Sequence, residues 1–252
     1  MYNKTLDLLV DYPFDRLRQL LDPIQPPVDL HPILMSLGEP QHAPPKIIHE
    51  TISKNADKWG KYPPVNGNNG LLKAIAGWLQ ERYSLSTGFI DSSQHIVAVS
   101  GTKEALFMAG DVSITPNSIN RTSTVLIPNP FYQVYMGAAV IRGANPTFLP
   151  ASSETGFLPD FLSLEPEALD KTVLAYLCSP SNPQGTIAHM DYLKNVIELA
   201  QTYDFVLAVD ECYAEIYDKF KPPGVLQACH EMGGNLKNIL SFHSLSKRSN
   251  AP

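Results

Sequence analysis

Five short apolar runs, separated by segments of helical periodicity, restrict the fold of this chain more than any other feature. The runs have the length of buried strands and lie at 96–99, 124–127, 173–177, 205–209 and 239–242. Segments with helical spacing precede or separate them, at about 70–83, 102–110, 131–141 and 189–203. This alternation predicts an α/β fold whose largely parallel sheet is covered on both faces. Ligands of such sheets bind where strands end and helices begin.

Composition excludes several classes of protein. The 252 residues carry a net charge of −6 without a basic stripe, which argues against a nucleic-acid partner. No apolar run approaches the roughly 18 residues of a membrane helix. The cysteines, at 178, 212 and 229, are too scattered for a metal site or a disulfide set. We therefore expect a reduced, cytoplasmic enzyme. No G-x-G-x-x-G or Walker loop follows a strand, so nucleotide binding is disfavoured.

Polar residues follow the first two predicted strands. Gly101, Thr102 and Lys103 come after 96–99 and begin a helix, whose free N–H groups and positive dipole end predict an anion cradle. The alternative is an ordinary helix cap. Tyr132, after 124–127, is placed to stack on a flat ring, although a core aromatic would show the same spacing.

The next two strand ends carry an amide and a carboxylate. Asn182 lies in an Asn-Pro-Gln-Gly segment, which is either a plain turn or a donor to a phenolate oxygen. Asp210 ends an apolar strand and needs a partner if it is buried, such as a protonated ring nitrogen. Tyr213 can reach the same ring. A turn-capping aspartate is the alternative.

Lys247 follows the fifth run, with Ser244 and Ser246 just before it. A lysine amine can form an imine with an aldehyde, and the hydroxyls can bind an anionic group on that aldehyde. A solvated lysine in a polar loop is the alternative. Taken together, the five strand ends predict a pyridoxal phosphate site, in which Lys247 also acts as the base at the substrate carbon. Gly101, Thr102, Lys103 and Ser244 would bind the phosphate.

These residues resemble the fold-type-I pyridoxal phosphate aminotransferases of class I/II over nearly the whole chain. The motifs that carry the resemblance are Asn182-Pro183-x-Gly185, Asp210 with Tyr213, and Ser244-x-Ser246-Lys247. The resemblance implies a three-layer α/β/α, aspartate aminotransferase-like large domain. It also implies that Tyr132 stacks on the ring, that Gly38 contacts the substrate carboxylate, and that Tyr62 reaches the phosphate of a partner subunit in a homodimer.

The chain looks most similar to bacterial N-succinyldiaminopimelate aminotransferases of lysine biosynthesis, which exchange an amino group with glutamate and 2-oxoglutarate. The segments that carry this similarity are 12–17, 38–42, 128–133, 137–139 and 244–250. Gln184 departs from the threonine that is usual in the family's turn. The same scaffold also supports carbon–sulfur lyases, decarboxylases and other aminotransferases, and a binding remnant without turnover is a further alternative.

The resemblance also predicts how the chain is divided. Residues 1–45 are expected to form an N-terminal arm and part of a small domain, and 46–252 the cofactor-binding large domain. The family continues with a phosphate-binding arginine, a last antiparallel strand and a C-terminal small domain. We therefore expect a truncated chain that folds poorly and transaminates negligibly, with unpaired edges at 96–99 and 239–242.

Overall fold

The sheet consists of five parallel strands. The computed structural model describes residues 2–33, 35–36, 38–115 and 123–252. The strands are β1 Thr124–Asn129, β2 Asn145–Pro150, β3 Thr172–Cys178, β4 Val206–Asp210 and β5 Ile239–Phe242. Their order is β2-β1-β3-β4-β5, and every neighbouring pair is parallel. The predicted α/β class with a parallel sheet is confirmed.

Helices connect and cover the strands. They are α1 Pro13–Leu21, α2 Lys46–Lys54, α3 Asn69–Arg82, α4 Thr102–Ser113, α5 Gln133–Ile141, α6 Pro166–Asp170, α7 Met190–Thr202, α8 Val225–Glu231 and α9 Leu245–Arg248. Short 3₁₀ helices span Lys4–Leu8, Ala56–Gly60 and Ser153–Thr155. The helices predicted at 70–83, 102–110, 131–141 and 189–203 are confirmed, with ends that differ by at most three residues.

Side chains of the central strands alternate between two hydrophobic clusters, one on each face of the sheet. One face packs against α4 and α5 and receives Val125, Ile127, Leu174, Tyr176 and Ala208. The other packs against α3, α7 and α8 and receives Leu126, Ala175, Leu177, Leu207 and Val209. Strand β4 continues this alternation, so Asp210 falls on the α4/α5 side and Glu211 on the opposite side.

Strand β2 was not predicted. Its sequence, NPTFLP, contains two prolines and leaves only Leu149 fully buried, so it lacks the apolar run that marks the other strands. Proline removes a backbone donor and is tolerated at a sheet edge, where one side of the strand has no partner. Strand β2 occupies that edge beside β1.

The prediction of a strand at 96–99 is wrong. The segment pairs with no strand among the described residues, and Val97 and Val99 are exposed. An apolar groove of about 590 Å³ separates it from β5, with Ile75, Trp78 and Leu240 among its lining residues. Apolar character alone does not make a strand, because backbone hydrogen bonds require a partner at the correct spacing.

The N-terminal segment adds little to the core. Helices α1 and α2 contain no buried residue. The 3₁₀ helix Lys4–Leu8 is attached to the end of α5 by Asn3, whose side-chain nitrogen donates to the carbonyl of Ile141 at 3.2 Å. No helix in the described part of the chain is both long and apolar enough to span a bilayer.

The packing of α4 on α5 leaves no room for a side chain at Gly110. A Cβ there would lie 2.8 Å from the Cβ of Ala138. We expect Gly110→Ala to lower the free energy of unfolding by about 1–3 kcal/mol, because the helices must move apart. Gly77, exposed on α3 with open space around it, is the matched control. Gly77→Ala should raise the stability by about 0.5–1 kcal/mol. Urea unfolding measures the stability change of each variant. Changes in the same direction would contradict the close packing of α4 on α5 at Gly110.

Candidate active site

A cavity of about 670 Å³ lies at the carboxyl ends of the strands and gathers nearly all of the predicted site residues. Its lining includes Gly38, Gly101, Thr102, Lys103, Tyr132, Asn182, Asp210, Tyr213, Ser244, Ser246 and Lys247. Tyr62 is not among them, and its side chain is fully exposed. Residues separated by more than 200 positions in the chain therefore meet around one space.

The Asp210 carboxylate is buried at the end of β4. Its Oδ2 accepts a hydrogen bond from the Tyr135 hydroxyl at 2.9 Å, and its Oδ1 accepts one from the Cys212 backbone N–H at 3.2 Å. Within the described residues, no lysine, arginine or histidine pairs with this carboxylate. A buried negative charge without a cationic partner is costly. A cationic group in the cavity would relieve that cost.

Tyr135 is a site residue that the sequence reasoning did not single out. It is fully buried and stacks on Tyr176, with ring centroids 4.4 Å apart and an interplanar angle of 12°. Burial, followed by the nearby Asp210 charge, raises the pKa of Tyr135 well above its usual value. The hydroxyl therefore stays protonated and donates to Asp210. The available signal was its position one helical turn after Tyr132, which places both rings on one face.

Removing the Tyr135 hydroxyl should lower the free energy of unfolding more than removing a tyrosine hydroxyl that donates to an uncharged acceptor. Tyr176 is the control, since its hydroxyl donates to the Leu106 carbonyl at 2.7 Å. We expect Tyr135→Phe to lower the free energy of unfolding by about 1.5–3 kcal/mol and Tyr176→Phe by about 1 kcal/mol. Chemical denaturation of the two variants measures the difference. Equal losses would show that the charge of Asp210 does not strengthen this bond.

Asn182 and Tyr213 form a pair of donors on the cavity wall. The Asn182 side-chain nitrogen donates to the Tyr213 hydroxyl at 3.3 Å. Burial, with the nearby Asp210 carboxylate as a further cause, raises the pKa of Tyr213 to about 12. The phenol is therefore protonated at neutral pH, and its O–H can donate to an oxygen of a bound molecule.

The N-terminus of α4 lies at the cavity, and free N–H groups at such a position can bind an anion. The helix begins at Thr102, and no side chain caps its free N–H groups. Gly101 precedes it at φ +143°, which only glycine adopts readily. A Cβ on Gly101 would also come within 2.8 Å of the Glu104 carboxylate. The backbone conformation at this position therefore favours glycine.

Lys247 lies in α9, within the segment that also carries the two serines. Ser244 caps this helix, accepting from the Ser246 N–H at 3.1 Å and donating to the Ser246 hydroxyl at 2.9 Å. The Lys247 Nζ donates to the carbonyl of Gly38. Arg248 points away from the cavity and lies over the ring of Trp78, 4.2 Å from its centroid. The lysine amine therefore faces the cavity that Asp210 also lines.

The donor set fits pyridoxal phosphate. Asp210 offers an anion for a protonated ring nitrogen, and Tyr213 offers a hydroxyl for the ring oxygen. The N-terminus of α4 offers N–H groups for the phosphate. Lys247 offers an amine for the aldehyde. Among the described residues, the Asp210 carboxylate is buried without a cationic partner and lines the same cavity as the Lys247 amine, an arrangement that suits such a ligand.

Comparison with known proteins identifies the family. A model of the aminotransferases of class I and II matches residues 31–252. The LL-diaminopimelate aminotransferase of Aquifex aeolicus is 30% identical over 253 residues, covering 99% of this chain and 62% of that protein. The relative from Desulforudis audaxviator with the same name is 28% identical over 98% of this chain.

Solved structures agree with this result. An aminotransferase from Neisseria meningitidis superposes with a TM-score of 0.92 at 37% identity, covering all of this chain and 63% of that one. AspB from Helicobacter pylori has a TM-score of 0.87 at 34% identity, over 97% of this chain and 62% of its own. The chain thus spans about three fifths of the length of the relatives it matches.

These matches confirm the predicted fold family and cofactor. The family model covers most of the chain, and the sheet order and cavity described above belong to the same superposed region. The protein is therefore a member of the class I and II aminotransferase family, whose enzymes depend on pyridoxal phosphate.

Proposed function

We propose that this chain carries the cofactor site of an aminotransferase that exchanges an amino group between glutamate or 2-oxoglutarate and a second amino or keto acid. The observation that supports this most is the Asp210 carboxylate, buried without a cation in the described residues and lining the same cavity as Lys247. A carboxylate and an amine in one cavity suit a ligand with a protonated nitrogen at one end and an aldehyde at the other.

Each residue has a distinct role in this proposal. Bound pyridoxal phosphate supplies an electron-accepting ring for the charge that develops at the substrate carbon. Lys247 would hold the cofactor through its aldehyde, with loss of one water, and its free amine would accept the proton from the substrate carbon. Asp210 keeps the ring nitrogen protonated, and Tyr135 fixes the orientation of that carboxylate.

The remaining residues bind and orient. Asn182 and Tyr213 hydrogen-bond the ring oxygen, and Tyr132 stacks on the ring. The phosphate is bound by residues at the start of α4 and by the serines before Lys247, namely Gly101, Thr102, Lys103, Ser244 and Ser246. Gly38 contacts the substrate carboxylate.

We also propose that the enzyme works as a homodimer in which Tyr62 reaches the phosphate of the partner subunit. The full exposure of Tyr62, outside the cavity of its own chain, is compatible with that role. In the same proposal, residues 1–45 form an arm with part of a small domain, and 46–252 the large domain.

The proposed substrate is N-succinyl-LL-2,6-diaminopimelate, on the motif similarity described above. The relatives named LL-diaminopimelate aminotransferase favour the unacylated compound as a second candidate. The two substrates share the reacting α-amino acid and differ only in the group on the distal nitrogen. Recognition of that group therefore decides between them.

The test supplies the chain with pyridoxal phosphate and glutamate and follows both spectrum and products. A visible absorbance band that changes on addition of glutamate, with 2-oxoglutarate formed in proportion to the amino groups transferred, would support the proposed reaction. It would also contradict the expectation that residues 1–252 transaminate negligibly. Each diaminopimelate compound is then offered as donor with 2-oxoglutarate as acceptor, and glutamate formation is measured. Release of pyruvate from sulfur amino acids would indicate a carbon–sulfur lyase. Cofactor binding without a spectral response to any amino acid would indicate a remnant without turnover.

A further inference from the structure

Glu211 is a buried carboxylate that the proposed mechanism does not use. It follows Asp210 directly, and the alternation along β4 directs it to the α3/α8 side of the sheet. Its side chain is only 1% exposed. Glu211 therefore lies outside the cavity lined by Asp210, and indeed the cavity lining does not include it.

Three groups meet the Glu211 carboxylate. Its Oε1 accepts from the Val225 N–H at the start of α8, at 2.8 Å. Its Oε2 accepts from the Ser241 hydroxyl at 2.6 Å and lies 3.1 Å from His243 Nε2. Ser241 Oγ and His243 Nε2 are themselves 2.9 Å apart. We call Glu211, Ser241 and His243 the Glu211 network.

The imidazole of His243 is held from the other side by aromatic rings. Its centroid lies 5.2 Å from that of Trp78 in an edge-to-face arrangement, and 6.0 Å from that of Tyr83. The guanidinium of Arg248 also lies over the Trp78 ring. The Glu211 network is therefore continuous with the packing around α9, the helix that contains Lys247.

The network joins the two chain segments whose relative position matters most for the cofactor. Asp210 is opposite Phe242 in the pairing of β4 with β5, and the Glu211 N–H donates to the Phe242 carbonyl at 2.9 Å. Glu211 directly follows Asp210, and His243 directly precedes Ser244. A contact between Glu211 and His243 thus fixes the spacing of the two cofactor-binding segments where β4 and β5 end.

A buried polar network is an expensive way to join two strands. Apolar side chains of similar volume often give equal or greater stability, whereas hydrogen bonds between fixed partners specify geometry. The Glu211 network therefore contributes more to the relative position of the two strands than to the stability of the fold.

We propose that Glu211, Ser241 and His243 are positioning residues, which hold the segment from Ser244 to Lys247 in register with Asp210. They act through the backbone and touch neither cofactor nor substrate. This inference rests on the proposed function, because the register matters only if one ligand joins Asp210 and Lys247.

The test compares Glu211→Gln and Ser241→Ala with Glu231→Gln. Glu231 is the matched control, as its carboxylate forms an ion pair with Lys194 at 2.7 Å at the end of α8, outside the cavity. Each protein is titrated with pyridoxal phosphate, and the pKa of the visible band of the lysine-bound cofactor is measured. The melting temperature without cofactor is recorded separately.

We expect Glu211→Gln to raise the dissociation constant for pyridoxal phosphate about tenfold or more, and to shift the spectroscopic pKa by about one unit. Ser241→Ala should shift both in the same direction by less, and Glu231→Gln should leave both unchanged. A purely structural role would lower the melting temperature while the spectroscopic pKa of the folded protein stayed at the wild-type value. That result in either variant overturns the inference, and Ser241→Ala decides if Glu211→Gln does not fold.

The result for the wild-type protein distinguishes failure of the proposed function from failure of the positioning role. If it forms no lysine-bound species with pyridoxal phosphate, the proposed function fails and the inference fails with it. If it does so and the variants match it in dissociation constant and spectroscopic pKa, only the positioning role is wrong.

Discussion

Lys247→Ala is expected to abolish covalent attachment of pyridoxal phosphate. Incubation of the wild-type chain with the cofactor, followed by borohydride reduction, should add one phosphopyridoxyl group, and peptide mapping should locate it on Lys247. The variant should show no such addition, because the Lys247 amine is the one proposed to bond the aldehyde. Mass spectrometry of the intact chain and its peptides measures both results.

Lys219→Ala is the control for this experiment, since Lys219 is exposed and does not line the cavity. It should be labelled at Lys247 to the same extent as the wild type. Stoichiometric label on a different lysine in the Lys247→Ala protein would contradict the assignment. Lys103 would be the first residue to inspect, because it lines the same cavity.

Asp210→Asn is expected to change cofactor affinity and stability in opposite directions. The side chain keeps its shape but loses the charge that stabilises a protonated ring nitrogen. Removing one partner of a buried charge pair typically costs several kcal/mol, which corresponds to a dissociation constant raised about 100-fold or more. Equilibrium titration with pyridoxal phosphate, followed by absorbance, measures this loss.

The same substitution should leave the cofactor-free protein as stable as the wild type or more stable. Without a ligand, the partners of the buried Asp210 charge among the described residues are the Tyr135 hydroxyl and one backbone N–H. The neutral amide removes the cost of that burial. Asp218→Asn, at an exposed position, should alter neither quantity. Unchanged affinity in Asp210→Asn, or a clear loss of stability without cofactor, would show that the carboxylate has a different role.

The residues of the cavity could be predicted from the sequence because parallel strands bring their carboxyl ends to one edge. A residue that follows a buried apolar run is therefore located by the run itself. Asp210, Asn182 and Tyr132 were found in this way, and the structure brings them together. The roles of these side chains toward the cofactor stay predictions.

Features that depend on a neighbour could not be predicted. The segment 96–99 has the composition of a strand but no partner in the described residues, while β2 pairs with β1 despite its two prolines. Tyr135 is a core aromatic whose hydroxyl donates to the Asp210 carboxylate, a contact that the local sequence does not indicate. The contacts of Glu211 could not be predicted either, because its partners lie 14, 30 and 32 positions away in the chain.

The adjacent carboxylates at the end of β4 make this strand intolerant of any change in length. Deleting a single residue before Asp210 would turn each later side chain to the opposite layer. A glutamate would then enter the cofactor cavity, and the aspartate would turn toward the α3/α7/α8 side of the sheet. Insertions and deletions must therefore fall in connecting loops, where the chain can absorb them without exchanging the two acids.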